Sequence, residues 1–267
     1  MGQRVKADAT SVDGGSAVAR GARAGQTAIV PTTPDQRLRR LDWPRVEREL
    51  DAEGWSRLGP LLDGAACRAL VRDFDRDALF RATVDMERHG FGRGVYRYFA
   101  APLPPLVADL RSALYERLVP TARRWAAALG QAPEAFPPTL AAYLDACHAA
   151  GQRRPTPLLL RYHAGDYNCL HQDLYGALAF PLQVVIPLSK PGADYEGGEL
   201  LFYEQRPRHQ SRATAVAPAA GEGVVFANRL RPCQGQRGTY RVAMRHGLST
   251  VRSGARVALG LIFHDAT

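Results

Sequence analysis

The chain has 267 residues, of which 46% are hydrophobic and 23% charged, a composition typical of a soluble globular protein with one substantial core. It contains no run of about 18 apolar residues, which excludes a membrane-spanning helix. The four cysteines are scattered without a C-x-x-C pair, which argues against a thiolate zinc site or a disulfide framework and fits a reducing cytoplasm.

The formal net charge is +9, and almost all of the positive charge is arginine, since Lys6 and Lys190 are the two lysines. Between Arg206 and Arg256 there are ten arginines and one acid, Glu222. This charge has two interpretations: an ordinary solvated surface, or a face that binds phosphates or another polyanion.

Residues 1–34 are rich in Ala, Gly, Ser and Thr with little apolar periodicity, and we predict a disordered leader there. This segment has no continuous apolar stretch followed by a cleavage site, so we expect a cytoplasmic protein that is not exported.

Residues 35–155 are predicted to be mainly helical and to carry a lid over the substrate. Apolar residues recur at helical spacing over residues 43–80, where Asp63 is placed to cap a helix, and again over 105–129. Residues 145–148 are predicted to close a further helix.

After Pro155 the pattern changes to short β-like runs separated by Gly, Pro and Asn. These runs are residues 158–162, 182–188, 199–204, 224–227, 240–246 and 257–263. Short strands at this spacing predict a double-stranded β-helix, a cupin-like jelly roll, over residues 156–267, with the helical N-terminal half packed on it.

His171 and Asp173 form an H-x-D motif, in which an extended strand directs both side chains to one face. In a later strand, Tyr240, Val242, Met244 and His246 share one face. The apolar members of that set predict that His246 points into the barrel. Two imidazoles and one carboxylate on one face of Fe(II) leave three positions open for a 2-oxo acid and dioxygen, so we predict an iron site at His171, Asp173 and His246.

Arg256 lies ten residues after His246, at the predicted start of an apolar strand. An arginine there needs an anionic partner or a route to solvent. The distal carboxylate of 2-oxoglutarate is one such partner, because guanidinium and carboxylate pair in bidentate fashion. The alternative is an arginine at a strand end that extends to water.

These motifs together resemble the Fe(II)/2-oxoglutarate dioxygenases. The H-x-D motif, the distal histidine, the arginine ten residues beyond it and the segment 195–200 (YEGGEL) are similar to the prolyl-hydroxylase-like branch, whereas residues 161–173 are similar to AlkB-type nucleic-acid dealkylases. The chain also resembles a bacterial family described as oxygenases acting on alkylation-damaged DNA. The segments that carry this resemblance are 165–176 (GDYNCLHQDLYG), 204–208 (EQRPR), 245–247 (RHG) and 262–266 (IFHDA).

The resemblance implies Fe(II), 2-oxoglutarate and dioxygen as cofactor and co-substrates, with Arg256 and Tyr162 binding 2-oxoglutarate. The alternative for Tyr162 is a buried core tyrosine. Two positions depart from the AlkB pattern: Leu160 stands where those enzymes have an asparagine, and Ile262 where they have a second arginine. Recognition of the co-substrate is therefore expected to differ in detail.

Residues 89–99 interleave arginines with aromatics, a composition suited to stacking on an exposed base while contacting phosphate. Arg93, Tyr96 and Tyr98 are accordingly predicted to bind substrate, as is Tyr175, two residues beyond Asp173. The alternatives are an ordinary turn that leads into a strand and, for Tyr175, a core tyrosine.

Three functions remain open from the sequence. The first is oxidative demethylation of alkylated bases in nucleic acid. The second is hydroxylation of a small molecule, peptide or protein side chain, as in prolyl hydroxylases, and the third is a non-catalytic jelly-roll binding module. The sequence does not determine the oligomeric state.

Overall fold

The computed structural model describes residues 33–173, 176–236 and 238–267, and within them the predicted helices lie in the N-terminal half. Side chains that accept a hydrogen bond from a backbone N–H of the first turn cap four of these helices, and Asp63 is one of them, as predicted. The helices are α1 (Pro34–Arg39), α2 (Trp43–Glu53), α3 (Gly64–Asp73), α4 (Pro105–Ala128) and α5 (Leu140–Ala149). None of these helices is long and apolar enough to span a bilayer.

Among the strands of the described residues some alternate in burial and others are buried almost throughout, as expected for two packed sheets. They are β1 (Trp55–Pro60), β2 (Phe80–Asp85), β3 (Gly92–Arg93), β4 (Val95–Phe99), β5 (Leu158–His163), β6 (Tyr167–His171), β7 (Leu182–Pro187), β8 (Tyr195–Gly197), β9 (Leu200–Gln205), β10 (Arg212–Val216), β11 (Glu222–Ala227), β12 (Leu230–Gly235), β13 (Gly238–Leu248) and β14 (Val251–Leu261).

Two antiparallel sheets form the predicted double-stranded β-helix. The larger has the order β1-β11-β7-β14-β5-β4-β2, with β8 also paired to β14, and the smaller has the order β10-β9-β13-β6-β3, with β12 also paired to β13. A buried apolar cluster takes side chains from both sheets, including Val185 and Val224 from the larger and Phe202 and Leu248 from the smaller. A second cluster joins the helices mainly to the larger sheet, with Val242 and Met244 of the smaller sheet, so the helices cover the larger sheet and leave space between the sheets for a site.

The N-terminal half is less helical than predicted. The continuous helical pattern expected over residues 43–80 is wrong at β1, because Gly54 adopts a left-handed conformation that ends α2 and the next six residues alternate in burial with the period of a strand. With β2, β3 and β4, this half supplies four strands to the sheets. The predicted leader lies outside the described residues, except that Thr33 caps and Pro34 begins α1. The domain boundaries stay a prediction.

A buried ion pair joins α4 to the C-terminal end of the chain. Arg111 donates to the carbonyl of Ile262 at 2.8 Å and to the carboxylate of Asp265 at 2.9 Å. Asp265 also lies 2.9 Å from His148 at the end of α5. Because both Arg111 and Asp265 are almost fully buried, each depends on the other for compensation of its charge.

We expect Arg111→Met to lower the free energy of unfolding by about 3–5 kcal/mol, because it leaves the Asp265 carboxylate buried without its cation. Chemical denaturation monitored by circular dichroism measures this. Arg117→Met, at an exposed position of the same helix, is the matched control and should change the stability by less than about 0.5 kcal/mol. Equal stability of the two variants would contradict a role for this ion pair.

Candidate metal centre

Strand β13 directs His246 to the interior of the jelly roll. Val242 and Met244 on the same side of the strand are buried, whereas Arg241 and Arg245 on the other side are exposed, as the alternation predicted. Phe226 of the larger sheet packs against the His246 ring with the centroids 4.7 Å apart. The imidazole therefore lies between the two sheets.

Strand β6 presents His171 beside His246. The two histidines are paired residues of β6 and β13, but the register shifts before Leu248, which pairs with Asn168. Such an irregularity re-aims side chains, and here both Asn168 and His171 line the same interior cavity although they are three residues apart. The strand ends at His171, and Asp173 follows it in irregular backbone rather than within the strand as predicted.

The three predicted ligands converge. The carboxylate of Asp173 lies between the imidazoles, with Oδ1 at 3.4 Å from His171 Nε2 and Oδ2 at 3.3 Å from His246 Nε2. One ligand atom from each residue lies within 4.8 Å of the others. Donors that bind one ion at about 2.0–2.2 Å lie about as far from one another as these carboxylate oxygens lie from the imidazole nitrogens. The donor set therefore fits a single divalent metal.

Neighbouring groups orient the ligands. Nδ1 of His171 lies 2.8 Å from the carbonyl oxygen of Cys169, an arrangement that assigns Nε2 to the metal. Asn228 holds the backbone of Asp173 at both ends: its Oδ1 accepts from the Asp173 N–H at 2.9 Å and its Nδ2 donates to the Asp173 carbonyl at 2.5 Å. Gln172 donates to the carbonyl of Met244 at 2.8 Å, which ties the motif to β13.

The electrostatics favour the ligating forms of two of the three residues. Burial raises the pKa of Asp173, but hydrogen bonds to the two imidazoles outweigh it and hold the pKa well below its usual value. Burial lowers the pKa of His246, which favours the neutral imidazole. At His171 burial acts in the same direction, but the hydrogen bond and charge of Asp173 prevail and raise the pKa.

A cavity of about 80 Å³ connects these ligands to Arg256. Its polar lining, apart from the three ligands, consists of Tyr162, Asn168, Gln183 and Arg256, and the rest is mainly apolar. Tyr162 is buried, and its hydroxyl accepts a hydrogen bond from Asn168 at 3.3 Å. The cavity is thus a chamber with the metal ligands on one part of its wall and a cation on another.

Arg256 lies in the middle of β14 rather than at the start of a strand, and it is only 1% exposed. The alternative of an arginine that reaches solvent is therefore wrong. Its guanidinium carbon lies about 6 Å from the ring centroids of Tyr162 and Tyr195, at 6.0 and 5.9 Å. Nε and Nη2 have no hydrogen-bond partner among the described residues. A buried guanidinium without an acid requires an anion, and a dicarboxylate that also reaches the metal ligands fits this chamber.

A second cavity, of about 390 Å³, adjoins the first and shares Leu160, Asn168, His171 and Asp173 with it. Its remaining lining is Gly90, Phe91, Tyr96, Cys169, Leu170 and Gln172. Phe91 also stacks on His89, with ring centroids 5.4 Å apart. This cavity gives a mainly apolar route to the metal ligands from the side of β3 and β6.

The predicted substrate-binding residues differ in whether they line a cavity. Tyr96 lines the second cavity, and Arg93 is half exposed on β3, 3.7 Å from Glu87. Tyr98 is buried under the guanidinium of Arg81 and does not line either of the two cavities. Tyr175 lies outside the described residues.

Fold and site define the class of the protein as the Fe(II)/2-oxoglutarate-dependent oxygenases. Within that class the chain belongs to the family described as "Oxygenase, catalysing oxidative methylation of damaged DNA", whose model matches residues 94–266.

Three known proteins illustrate the similarity. The uncharacterized protein Rv2227 of Mycobacterium tuberculosis is 56% identical over 169 residues, which are 63% of this chain and 72% of the relative. The crystal structure of a Pseudomonas putida prolyl-4-hydroxylase superposes with a TM-score of 0.51 at 17% identity, over 84% of this chain and 100% of that one. SnoK, a non-heme α-ketoglutarate-dependent carbocyclase from nogalamycin biosynthesis, gives a TM-score of 0.50 at 14% identity, over 87% and 86% of the two chains. At these identities the two structures confirm the fold.

For the metal centre we expect His171→Ala and His246→Ala each to abolish tight binding of Co(II), because each removes one of three ligands. Asn228→Ala should weaken binding about 10- to 100-fold, since it releases the backbone of Asp173. Anaerobic isothermal titration calorimetry measures the affinity. His163→Ala, which removes an exposed histidine, is the control and should bind like the unmodified protein. Undiminished binding by His246→Ala would exclude this centre.

Proposed function

We propose that the protein is an Fe(II)- and 2-oxoglutarate-dependent dioxygenase that demethylates alkylated bases in nucleic acid. Binding of 2-oxoglutarate is supported by the buried guanidinium of Arg256, which lines the same chamber as the three metal ligands. Its Nε and Nη2 have no hydrogen-bond partner among the described residues. Nucleic acid as the substrate is supported by the mainly apolar second cavity, which leads to the metal ligands, and by membership in a family described as acting on damaged DNA.

His171, Asp173 and His246 would hold the iron. With 2-oxoglutarate and dioxygen, the bound iron supplies an oxidant able to hydroxylate an unactivated C–H bond. Arg256 binds the distal carboxylate of 2-oxoglutarate, and the Tyr162 hydroxyl, held by Asn168, offers a hydrogen bond within the same chamber. The apolar walls, including Val185, Leu200 and Phe226, exclude water from the reacting groups.

Hydroxylation of an N-methyl group makes the reaction a demethylation. The hydroxymethyl group on nitrogen is a hemiaminal, and its C–N bond breaks to release formaldehyde and the unmodified base. The electron pair of that bond stays on the nitrogen and the hydroxyl group gives up its proton, to the nitrogen or to water, so the chain needs to place the methyl carbon near the iron and supplies no further reagent. The second cavity, which shares His171 and Asp173 with the co-substrate chamber, provides that access.

The rim of the second cavity supports an unpaired base as substrate. Among the described residues the large hydrophobic side chains that are exposed are Phe91 (48%), Tyr167 (38%) and Leu170 (38%), and all three lie on or beside β3 and β6. Arg93, whose side chain is half exposed, is paired with Tyr167 across these strands. Exposed apolar side chains beside arginine suit bases that stack on the protein while their phosphates are contacted. A base inside a duplex is covered on both faces, so the substrate is single-stranded or flipped out.

For the co-substrate we expect Arg256→Met to weaken binding of 2-oxoglutarate about 100-fold, because the distal carboxylate loses a buried, charge-assisted pair. Arg256→Lys should restore part of the affinity. Arg252→Met, at a largely exposed position of the same strand, is the matched control and should leave the affinity unchanged. The absorbance band that forms on anaerobic addition of 2-oxoglutarate to the Fe(II)-loaded protein reports binding. No band in the unmodified protein would favour the non-catalytic binding module.

For the substrate we expect formaldehyde release from single-stranded oligonucleotides that carry N-methylated bases. Phe91→Ala should lower kcat/KM about 10-fold, since stacking of one base contributes about 1–3 kcal/mol. The affinity of the Phe91→Ala variant for 2-oxoglutarate, measured without nucleic acid, is the internal control and should equal that of the unmodified protein. Turnover of 2-oxoglutarate that is stimulated by peptides or metabolites, with no response to a broad panel of methylated oligonucleotides, would instead favour the prolyl-hydroxylase-like alternative.

A further inference from the structure

Strand β7 carries one polar side chain in an otherwise apolar, fully buried strand. Leu182, Val184, Val185 and Ile186 surround Gln183, which is 4% exposed. The strand lies inside the larger sheet, hydrogen-bonded to β11 on one side and β14 on the other. Burial of an amide in such surroundings is costly unless the amide is hydrogen-bonded, so a polar residue here points to a specific partner.

The hydrogen-bond partner of the Gln183 side chain within the described residues is a metal ligand. Its Nε2 lies 3.0 Å from Nε2 of His246. Nε2 of His246 also lies 3.3 Å from the carboxylate of Asp173 and is therefore the ring nitrogen directed toward the metal. The amide of Gln183 consequently lies at the edge of the space in which ligands of the metal would bind.

The other polar groups of the chamber are already assigned. Tyr162 and Asn168 are hydrogen-bonded to each other, and the Tyr162 ring lies 6.0 Å from the guanidinium carbon of Arg256. Next to Gln183 the lining is apolar, with Val185 on its own strand and Phe226 as its pairing partner on β11. Apart from the three metal ligands, Gln183 is thus the lining residue whose hydrogen-bonding side chain contacts the metal end of the chamber.

We propose that Gln183 is a co-substrate-binding residue that hydrogen-bonds the end of the oxo acid that reaches the metal, while Arg256 binds the distal carboxylate. This inference rests on the proposed function, because it assigns the second of two contacts to the same 2-oxoglutarate. A neutral amide suits the position, since it donates to a carboxylate oxygen without adding a fourth anionic or imidazole ligand to the metal. The two contacts hold the co-substrate at both ends and fix its orientation.

Oxalate separates the two contacts, because this two-carbon diacid can bind at the metal but is too short to reach Arg256 as well. We expect Gln183→Leu to weaken both 2-oxoglutarate and oxalate about 10-fold, the loss of one hydrogen bond to a charged group. Arg256→Met should weaken 2-oxoglutarate about 100-fold and oxalate by less than about 3-fold. Calorimetric titration of the anaerobic, Fe(II)-loaded protein measures both affinities.

Two further measurements separate this role from a structural one. The affinity of Gln183→Leu for Fe(II) alone should match that of the unmodified protein. Gln183→Glu should bind Fe(II) more tightly and both diacids more weakly, because a carboxylate attracts the metal and repels the anions.

The inference is overturned if Gln183→Leu binds both diacids like the unmodified protein. It is equally overturned if its Fe(II) affinity falls in proportion, since the weaker binding of the diacids would then reflect loss of the metal. Failure of the unmodified protein to bind 2-oxoglutarate while it binds Fe(II) would instead overturn the proposed function itself.

Discussion

The pairing of β13 with β6 places His246 directly across from His171, and the chemistry of the molecule depends on this register. A shift of one residue would turn His246 to the outer face, where Arg245 now lies exposed. The apolar alternation of β13 determines which face is inward, and the irregularity in β6 allows Asn168 and His171 to line one cavity. Asp173, beyond the strand end, then needs its own support, which Asn228 provides through both backbone groups.

The second constraint is a charge that the protein itself leaves uncompensated. Arg231 and Arg111 are as deeply buried as Arg256, but Arg231 pairs with Glu204 at 2.5 Å and Arg111 with Asp265 at 2.9 Å. For Arg256, by contrast, Nε and Nη2 have no partner among the described residues. The two paired arginines join elements of the fold, whereas Arg256 is arranged to bind an anion that enters the chamber.

Much of the jelly roll could be predicted from the sequence, because β7 and the second half of β14 are almost wholly apolar and β13 alternates in burial over residues 240–246. The strands β1, β2 and β3 were missed: β1 lies inside the segment with helical spacing, and β1 and β3 are identified by pairing with the distant strands β11 and β6. The sequence did allow a turn that leads into a strand within residues 89–99, where β4 lies. The candidate metal ligands and Arg256 could be predicted because the H-x-D motif, the distal histidine and the arginine ten residues after it have the residue types and spacing of an iron and 2-oxoglutarate site. Asn228 could not be predicted, because it contacts Asp173 from a position 55 residues away in the sequence. Gln183 could have been noticed, because it is a single amide in an otherwise apolar strand.

The most direct test of the account is a crystal structure of the Fe(II) complex grown anaerobically with 2-oxoglutarate. We expect one metal ion bound by His171, Asp173 and His246, with 2-oxoglutarate extending from it through the chamber to place its distal carboxylate against Nε and Nη2 of Arg256. A metal held by other residues, or 2-oxoglutarate bound outside this chamber with Arg256 still unpaired, would contradict it.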